Sequence, residues 1–264
     1  MTAGRRARSW AATRWEPDQV PGPHWVALFR SAPRPVQQAV LAVRRRAPGR
    51  SVRWGNLRRT HPFSGRYGYD RGTPVDRYYI ERFLDQHTTR IRGNVLEVKD
   101  ASYTRRFGDG ARCHVIDIDG ENPEADLHAD LNSPESLPAA FFDCVILTQV
   151  LQFLSPEEAL GNVWASVAPG GTLLLTVPSL GRLDPHDHAT DFWRWTPNGL
   201  AQLLGRVRIP AHVSGYGNVL ACVSALWGLS VQDLSAEELD VTDPRFPLVA
   251  CAYAEKPAEP RGRP

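Results

Sequence analysis

The sequence lacks most of the features by which chains are stapled, anchored or loaded with dinucleotides. Its 264 residues include four cysteines, Cys113, Cys144, Cys222 and Cys251, far apart, in apolar surroundings and with no Cys-x-x-Cys spacing. That argues against a zinc ribbon or a disulfide framework and predicts buried, reduced thiols. No apolar run approaches the ~20 residues of a membrane-spanning helix, the longest candidate being Val219 to Leu229. Arg5, Arg6 and Arg8 are not followed by the apolar stretch of a secretory signal. A cytoplasmic protein without a membrane partner is expected. There is also no G-x-G-x-x-G, the turn whose backbone amides cradle a pyrophosphate, so a nicotinamide-dependent oxidoreductase is disfavoured. Lysine is scarce: Lys99 and Lys256 are the only two among 31 basic residues.

What is present is a chain with two charge regimes. Residues 1–60 contain thirteen arginines against Glu16 and Asp18, while the whole chain carries a net charge of only +2. The remainder is therefore acidic on balance, and 1–60 is expected to be a basic, partly disordered extension. No aromatic-plus-basic recognition module accompanies it, which speaks against a nucleic-acid partner. Within it, residues 35–46 place Val36, Ala39, Val40 and Val43 on one side of a helix ahead of Pro48-Gly49. The main domain is expected over 61–256, and 257–264 reads as a disordered polar tail.

The hydrophobic fraction of 42% is enough for a packed α/β core. Thr73-Pro74-Val75-Asp76 predicts a helix start, with Thr73 as N-cap and Pro74 in the first position. From Val95 onward strand and helix patterns alternate, which predicts a doubly wound, mostly parallel sheet. Strands are expected at 94–98, 113–117, 127–130, 143–148, 171–177, 206–213 and 247–254. Helices are expected at 156–167, 197–204 and 218–229, with Ala168-Pro169-Gly170-Gly171 as a helix stop and turn.

In such a sheet the ligand lies at the carboxyl ends of the strands, where strand order reverses. The first strand ends in Leu96-Glu97-Val98-Lys99-Asp100 and the second in Ile116-Asp117-Ile118-Asp119. Glu97 and Asp117 are 20 residues apart, close to the spacing between a nucleotide-binding first turn and an acid that accepts hydrogen bonds from ribose hydroxyls. Asp130 closes the third strand, where a carboxylate can meet an adenine amino group. Acids at strand ends also cap following helices, so each position has a purely structural alternative.

The succession VLEV, VIDID, LHADL, FDCVILTQVLQFL and VAPGGTLLLTVP resembles the ordered motifs of class I S-adenosylmethionine-dependent methyltransferases. GYDRGTPVDRYYIERFL, YTRRFG and FWRWT are similar to a bacterial branch of them, methyltransferase type 11, and the resemblance runs from about Gly68 to Lys256. It implies a Rossmann-like sheet of seven strands with the last antiparallel, and S-adenosylmethionine as cofactor. It further implies that Asp117 or Asp119 holds the ribose, that Asp130 and Leu131 flank the adenine, and that Thr148 and Gln149 lie beside the methionine part.

One departure stands out. Where the superfamily has a Gly-x-Gly turn after the first strand, this chain has Lys99-Asp100-Ala101-Ser102-Tyr103, with no glycine until Gly108. Either the side chains of Lys99 and Tyr103 turn away from the donor pocket or they fill it. Asp100 and Ser102 are candidates to compensate with polar contacts.

A second cluster follows the fifth strand: Asp184-Pro185-His186-Asp187-His188 and then Asp191-Phe192-Trp193-Arg194-Trp195. No helical i, i+4 frame organises these residues as metal ligands, and no metal is expected. His188, with His186 and Asp191, is the candidate for proton removal from an acceptor hydroxyl. The competing reading is a solvated loop anchored by its tryptophans. Tyr78, Tyr79, Trp193 and Trp195 are candidate pocket walls, or core. The expected activity is methyl transfer to a hydroxyl of a small-molecule or glycan acceptor. The alternative is a non-catalytic interaction protein on the same fold.

Overall fold

A computed structural model describes residues 28–46, 55–184 and 189–258. The chain divides into two compact units, Met1–Arg59 and Thr60–Pro264. In the first, helix α1 runs Arg34–Arg46 and a 3-10 turn covers Gly55–Arg58. Val36 and Val43 of the expected apolar stripe are exposed. Residues 1–27 of the expected basic extension lie outside the described residues, while residues 28–31 are helical. The expected tail from 259 onward is likewise outside them. No described helix is long and apolar enough to cross a membrane.

The second unit is built on β1 (Asn94–Val98), β2 (Arg112–Asp117), β3 (Leu127–His128), β4 (Phe142–Thr148), β5 (Val167–Pro178), β6 (Ala211–Tyr216) and β7 (Val249–Glu255). They form one seven-stranded sheet in the order β3-β2-β1-β4-β5-β7-β6. β7 is antiparallel to both β5 and β6, and the pairs from β3 to β5 are parallel. This is a Rossmann-like, doubly wound sheet. Strand order reverses between β1 and β4, which opens a crevice at their carboxyl ends.

Alternate residues of each central strand face opposite layers. Leu96, Val145, Leu147, Leu173 and Leu175 pack with α4 (Pro156–Ser166) and α5 (Pro197–Arg206). Val95, Cys144, Ile146 and Leu174 pack with α2 (Val75–Asp85) and α6 (Val219–Leu226). Both faces are covered, so the central strands read as continuous apolar runs. The short helices α3 (Ser102–Phe107) and α7 (Ala236–Asp240) complete the unit.

Several boundaries differ from expectation, each for a local reason. The segment 206–213 is not one strand: Arg206 closes α5, Arg208 is left-handed at φ 59, and Ile209 N–H bonds the Leu204 carbonyl at 2.9 Å. That is a Schellman helix end, and it buries Ile209 from a turn. The Ala168–Gly171 turn lies inside β5 as an outward loop, because Phe142 pairs with Val167 and Cys144 with Thr172. Gly171 permits it: a Cβ there would stand 2.8 Å from the Ala168 carbonyl and 2.9 Å from that of Phe142. Thr73 does not cap α2. Pro74 takes the flanking position with no side-chain cap, and Thr73 N–H bonds Gln232.

Candidate functional site

The carboxyl ends of β1, β2, β4 and β5 open into a cavity of about 790 Å³, lined also by the first turn of α2 and by Tyr67 and Tyr69. Its floor is the turn after β1. Lys99 adopts φ 75, a backbone conformation that glycine takes without cost. Its N–H continues the ladder to the Ile116 carbonyl at 2.9 Å, and its own carbonyl accepts a bond from Asn122 Nδ2 at 2.7 Å. Lys99 is exposed and also borders the cavity. Tyr103 packs in the core layer beneath α2 and also borders the cavity; it is bonded to Arg77, and its burial pushes the phenol up to about 12. The turn thus keeps the glycine-type backbone path without the glycine. Lys99→Gly is expected to raise stability by up to about 1 kcal/mol through relief of the left-handed strain, and to leave donor affinity level. Urea unfolding and calorimetry read the two effects, and a clear change in donor affinity would place the side chain in the pocket.

Glu97 borders the cavity, but its carboxylate is committed to the backbone of the next helix. It is 2% exposed. Its Oε1 accepts from Tyr103 N–H at 2.8 Å, and its Oε2 accepts from Thr104 N–H at 2.8 Å and from Thr104 Oγ1 at 2.7 Å. Glu97 caps α3, whose flanking residue Ala101 has no side chain able to do so. Burial raises its pKa, and these three donors pull the other way. Ser102 is exposed and off the cavity wall, whereas Asp100 lines the cavity and accepts Ser102 N–H at 2.8 Å.

At the end of β2, Asp117 lines the cavity while Asp119 does not. Asp117 accepts from Asp119 N–H at 3.0 Å and from Asn122 Nδ2 at 2.7 Å, and Asp119 accepts from Glu121 N–H at 3.0 Å. Asp119 is therefore a turn residue, and the alternative between the two carboxylates narrows to Asp117. Asp130 and Leu131 both line the cavity, with Leu131 held through its carbonyl by Asn162 Nδ2 at 2.8 Å. At the end of β4, Thr148 and Gln149 line it too. Gln149 sits at φ 52, with its N–H on the Thr176 carbonyl at 2.9 Å. Sequence reasoning missed Gln152, which anchors to the Gln149 carbonyl through Nε2 at 2.8 Å while its buried Oε1 has no partner.

His186 and His188 lie outside the described residues. Asp191, expected beside them in proton transfer, is buried and held by both ends of the Arg194 guanidinium, and it also accepts Asp184 N–H at 2.9 Å. The Arg194 bonds hold its pKa below the ordinary carboxylate value. A carboxylate so committed is a weak base and a strong fastener. Arg194 also reaches the Arg182 carbonyl at 2.6 Å, tying the two ends of the loop together. Because this pKa is depressed on folding, the stability it contributes is present above ~4 and drains as pH falls through the folded value. Asp191→Asn is therefore expected to melt a few degrees below the parent at pH 7, the gap closing toward pH 3. A gap that persists in acid would assign the loss to packing.

The aromatic wall also differs from expectation. Trp195 and Tyr79 are buried, Tyr79 bonding the Leu239 carbonyl at 3.0 Å, and Tyr78 bonds Asp240. Trp193, 45% exposed, reaches the Leu154 carbonyl at 3.3 Å. Tyr67, Tyr69, Tyr103 and Phe153 line the cavity instead. Tyr67 bonds Asp184 at 3.1 Å, and its phenol is pushed up to about 12, chiefly by burial. Tyr67 and Tyr69 belong to the GYDRG stretch and its immediate neighbour, which was the available signal.

No family model matches the chain, and no curated protein matches it. Among solved structures it is similar to a SAM-dependent methyltransferase from Archaeoglobus fulgidus, at 16% identity and a TM-score of 0.46 over 68% of this chain and 94% of that one. It is also similar to an S-adenosylmethionine-dependent methyltransferase from Mesorhizobium loti, at 15% identity and a TM-score of 0.46 over 69% of this chain and 98% of that one. A third is the Burkholderia thailandensis 1,6-didemethyltoxoflavin-N1-methyltransferase with 1,6-didemethyltoxoflavin and S-adenosylhomocysteine bound. There the identity is 15% and the TM-score 0.49, over 90% of this chain and 92% of that one.

Proposed function

We propose that this chain transfers a methyl group from S-adenosylmethionine to a hydroxyl of a small-molecule or glycan acceptor, as a cytoplasmic enzyme of the type 11 kind. The observation that carries this reading is the β1 turn. Lys99 follows the left-handed path of a glycine while itself bordering a cavity whose wall also holds Asp117, Asp130 and Thr148. A turn degenerating without function has no reason to retain a conformation that lysine adopts only at a cost.

The residues fit the donor chemically. Asp117 would accept the ribose hydroxyls, since each carboxylate oxygen has a second lone pair beyond the local turn bonds. Asp130 and Leu131 would flank the adenine, and Thr148 and Gln149 the methionine part. The orphan Gln152 Oε1, a buried acceptor on the same wall, suits an ammonium group, as does Asp100. When bound, S-adenosylmethionine supplies an electrophilic methyl on a positively charged sulfur. The chain's own task is to align an acceptor oxygen with it, exclude water, and take the hydroxyl proton. His188, with His186, is our assignment for that last role, since histidine titrates near neutral pH. Asp191 is assigned to holding the loop rather than to proton transfer.

Titration of the full chain with S-adenosylmethionine and S-adenosylhomocysteine tests the reading. Saturable heat with both is expected. A flat trace for both would remove it and favour an interaction protein on the same fold.

A further inference from the structure

Six buried side-chain polar atoms have no hydrogen-bond partner among the described residues, and four of them belong to residues on the cavity wall: Gln152 Oε1, Arg182 Nε and Nη2, and Arg194 Nε. Three of those four are guanidinium nitrogens. Unsatisfied groups of this kind are rare in folded proteins, and their concentration at one cavity points to a missing ligand rather than to loose packing. A guanidinium has donors only and keeps its charge, so the partner it lacks must present acceptor atoms and negative charge.

The two arginines differ in what holds them. Arg194 is neutralised by Asp191. Arg182 has no carboxylate partner among the described residues; its guanidinium carbon lies 3.9 Å from the centre of the Tyr67 ring. The ring covers one face of the plane and Tyr67 also takes a hydrogen bond from the guanidinium, which leaves Nε and Nη2 as the in-plane groups for binding. The carboxylate nearest in sequence, Asp184, receives the Tyr67 hydroxyl, and the backbone carbonyl of Arg182 is tied to Arg194. The cation is thus oriented by the Tyr67 ring, and its backbone is fixed by Arg194, before any ligand arrives. A flexible surface arginine would have to lose rotamer freedom on binding, and this one has already lost it.

We infer that Arg182 is the binding group for an anionic moiety, a carboxylate or a phosphate, carried by the acceptor. The word acceptor rests on the methyl-transfer reading; the anion site does not. Its position supports the division of labour: the acids assigned to the donor stand at the ends of β1, β2 and β3, whereas Arg182 follows β5 and packs on Tyr67.

The test uses the full chain at low ionic strength, saturated with S-adenosylhomocysteine, titrated calorimetrically with sodium phosphate and separately with sodium acetate. One of the two anions is expected to bind measurably and the stronger identifies the chemistry. Arg182→Gln should weaken it about tenfold or more, and Arg182→Lys, which keeps the charge but not the fork, should fall between. Affinity for S-adenosylhomocysteine should stay within about twofold in both variants, whose melting temperatures check their folding. Binding of neither anion, or equal anion binding in parent and variants, overturns the inference. A loss of S-adenosylhomocysteine affinity in properly folded variants also overturns it, by assigning Arg182 to the donor. If S-adenosylhomocysteine fails to bind the parent while an anion binds through Arg182, the site stands and the methyl-transfer reading falls.

Discussion

Glu97→Ala is expected to lower the unfolding free energy by about 3 kcal/mol, the largest stability effect of any single change at the site. The variant leaves Tyr103 N–H, Thr104 N–H and the Thr104 hydroxyl without their acceptor, in a place 2% exposed where water does not replace it. Each hydrogen bond to a charged group is worth ~1.5–3 kcal/mol, and a lost helix cap alone costs ~1 kcal/mol. The expected value falls below the sum because α3 is only six residues long and can fray. Thr104→Val, which removes one donor of the three, should cost about 1 kcal/mol. Urea unfolding of parent and variants reads both. A Glu97→Ala loss under about 1 kcal/mol would show that the carboxylate is not the cap and would return it to the list of candidate cofactor ligands.

The second large effect concerns binding. Asp117→Asn is expected to weaken the complex with S-adenosylhomocysteine by ~1.5–3 kcal/mol, roughly ten- to a hundredfold, through loss of charge-assisted bonds to the ribose. The substitution suits the question because the amide is the same size and can still accept from Asn122 Nδ2, which links Asp117 to the Lys99 carbonyl. The β1 turn is therefore expected to survive, and the effect to report on the ligand. Asp119→Asn is the control. Its carboxylate caps Glu121 off the cavity wall, so donor affinity should barely change. Equal losses in the two variants, or none in Asp117→Asn, would move the ribose away from β2.

How much of this was legible in the sequence varies from element to element. β1, at 94–98, matches its expected bounds because an apolar run between Gly93 and Lys99 has few other ways to fold in an alternating α/β chain. β6 was misplaced because Val207 and Ile209 mimic strand alternation, while the Schellman turn that buries Ile209 depends on hydrogen bonds reaching back to Leu204 and Gly205. The helix α7 was missed although Ser235 and Glu238 form a capping box that the sequence displays. At the site, Glu97, Asp100, Asp117 and Asp130, to which the strand ends pointed, stand on the cavity wall, as do Leu131, Thr148 and Gln149, which the family resemblance implied. Gln152, Arg77 and Arg182 were not singled out, since nothing in their spacing separates a cavity residue from a surface one.

The sequence by itself determined the alternating architecture, because hydrophobic period and turn chemistry are local properties that act before any long-range contact forms. It also determined which strand ends carry acids. Only the tertiary structure decided what each acid does. Glu97 and Asp117 look equivalent in the chain and both border the cavity, yet the Glu97 carboxylate is committed to the N-terminus of α3, whereas that of Asp117 is held by the turn after β2. Likewise the Asp191 carboxylate is tied up in an ion pair only because Arg194, three residues on, folds back onto it. A carboxylate's role is set by which donors reach its oxygens. Those donors come from segments whose approach the packed sheet alone arranges.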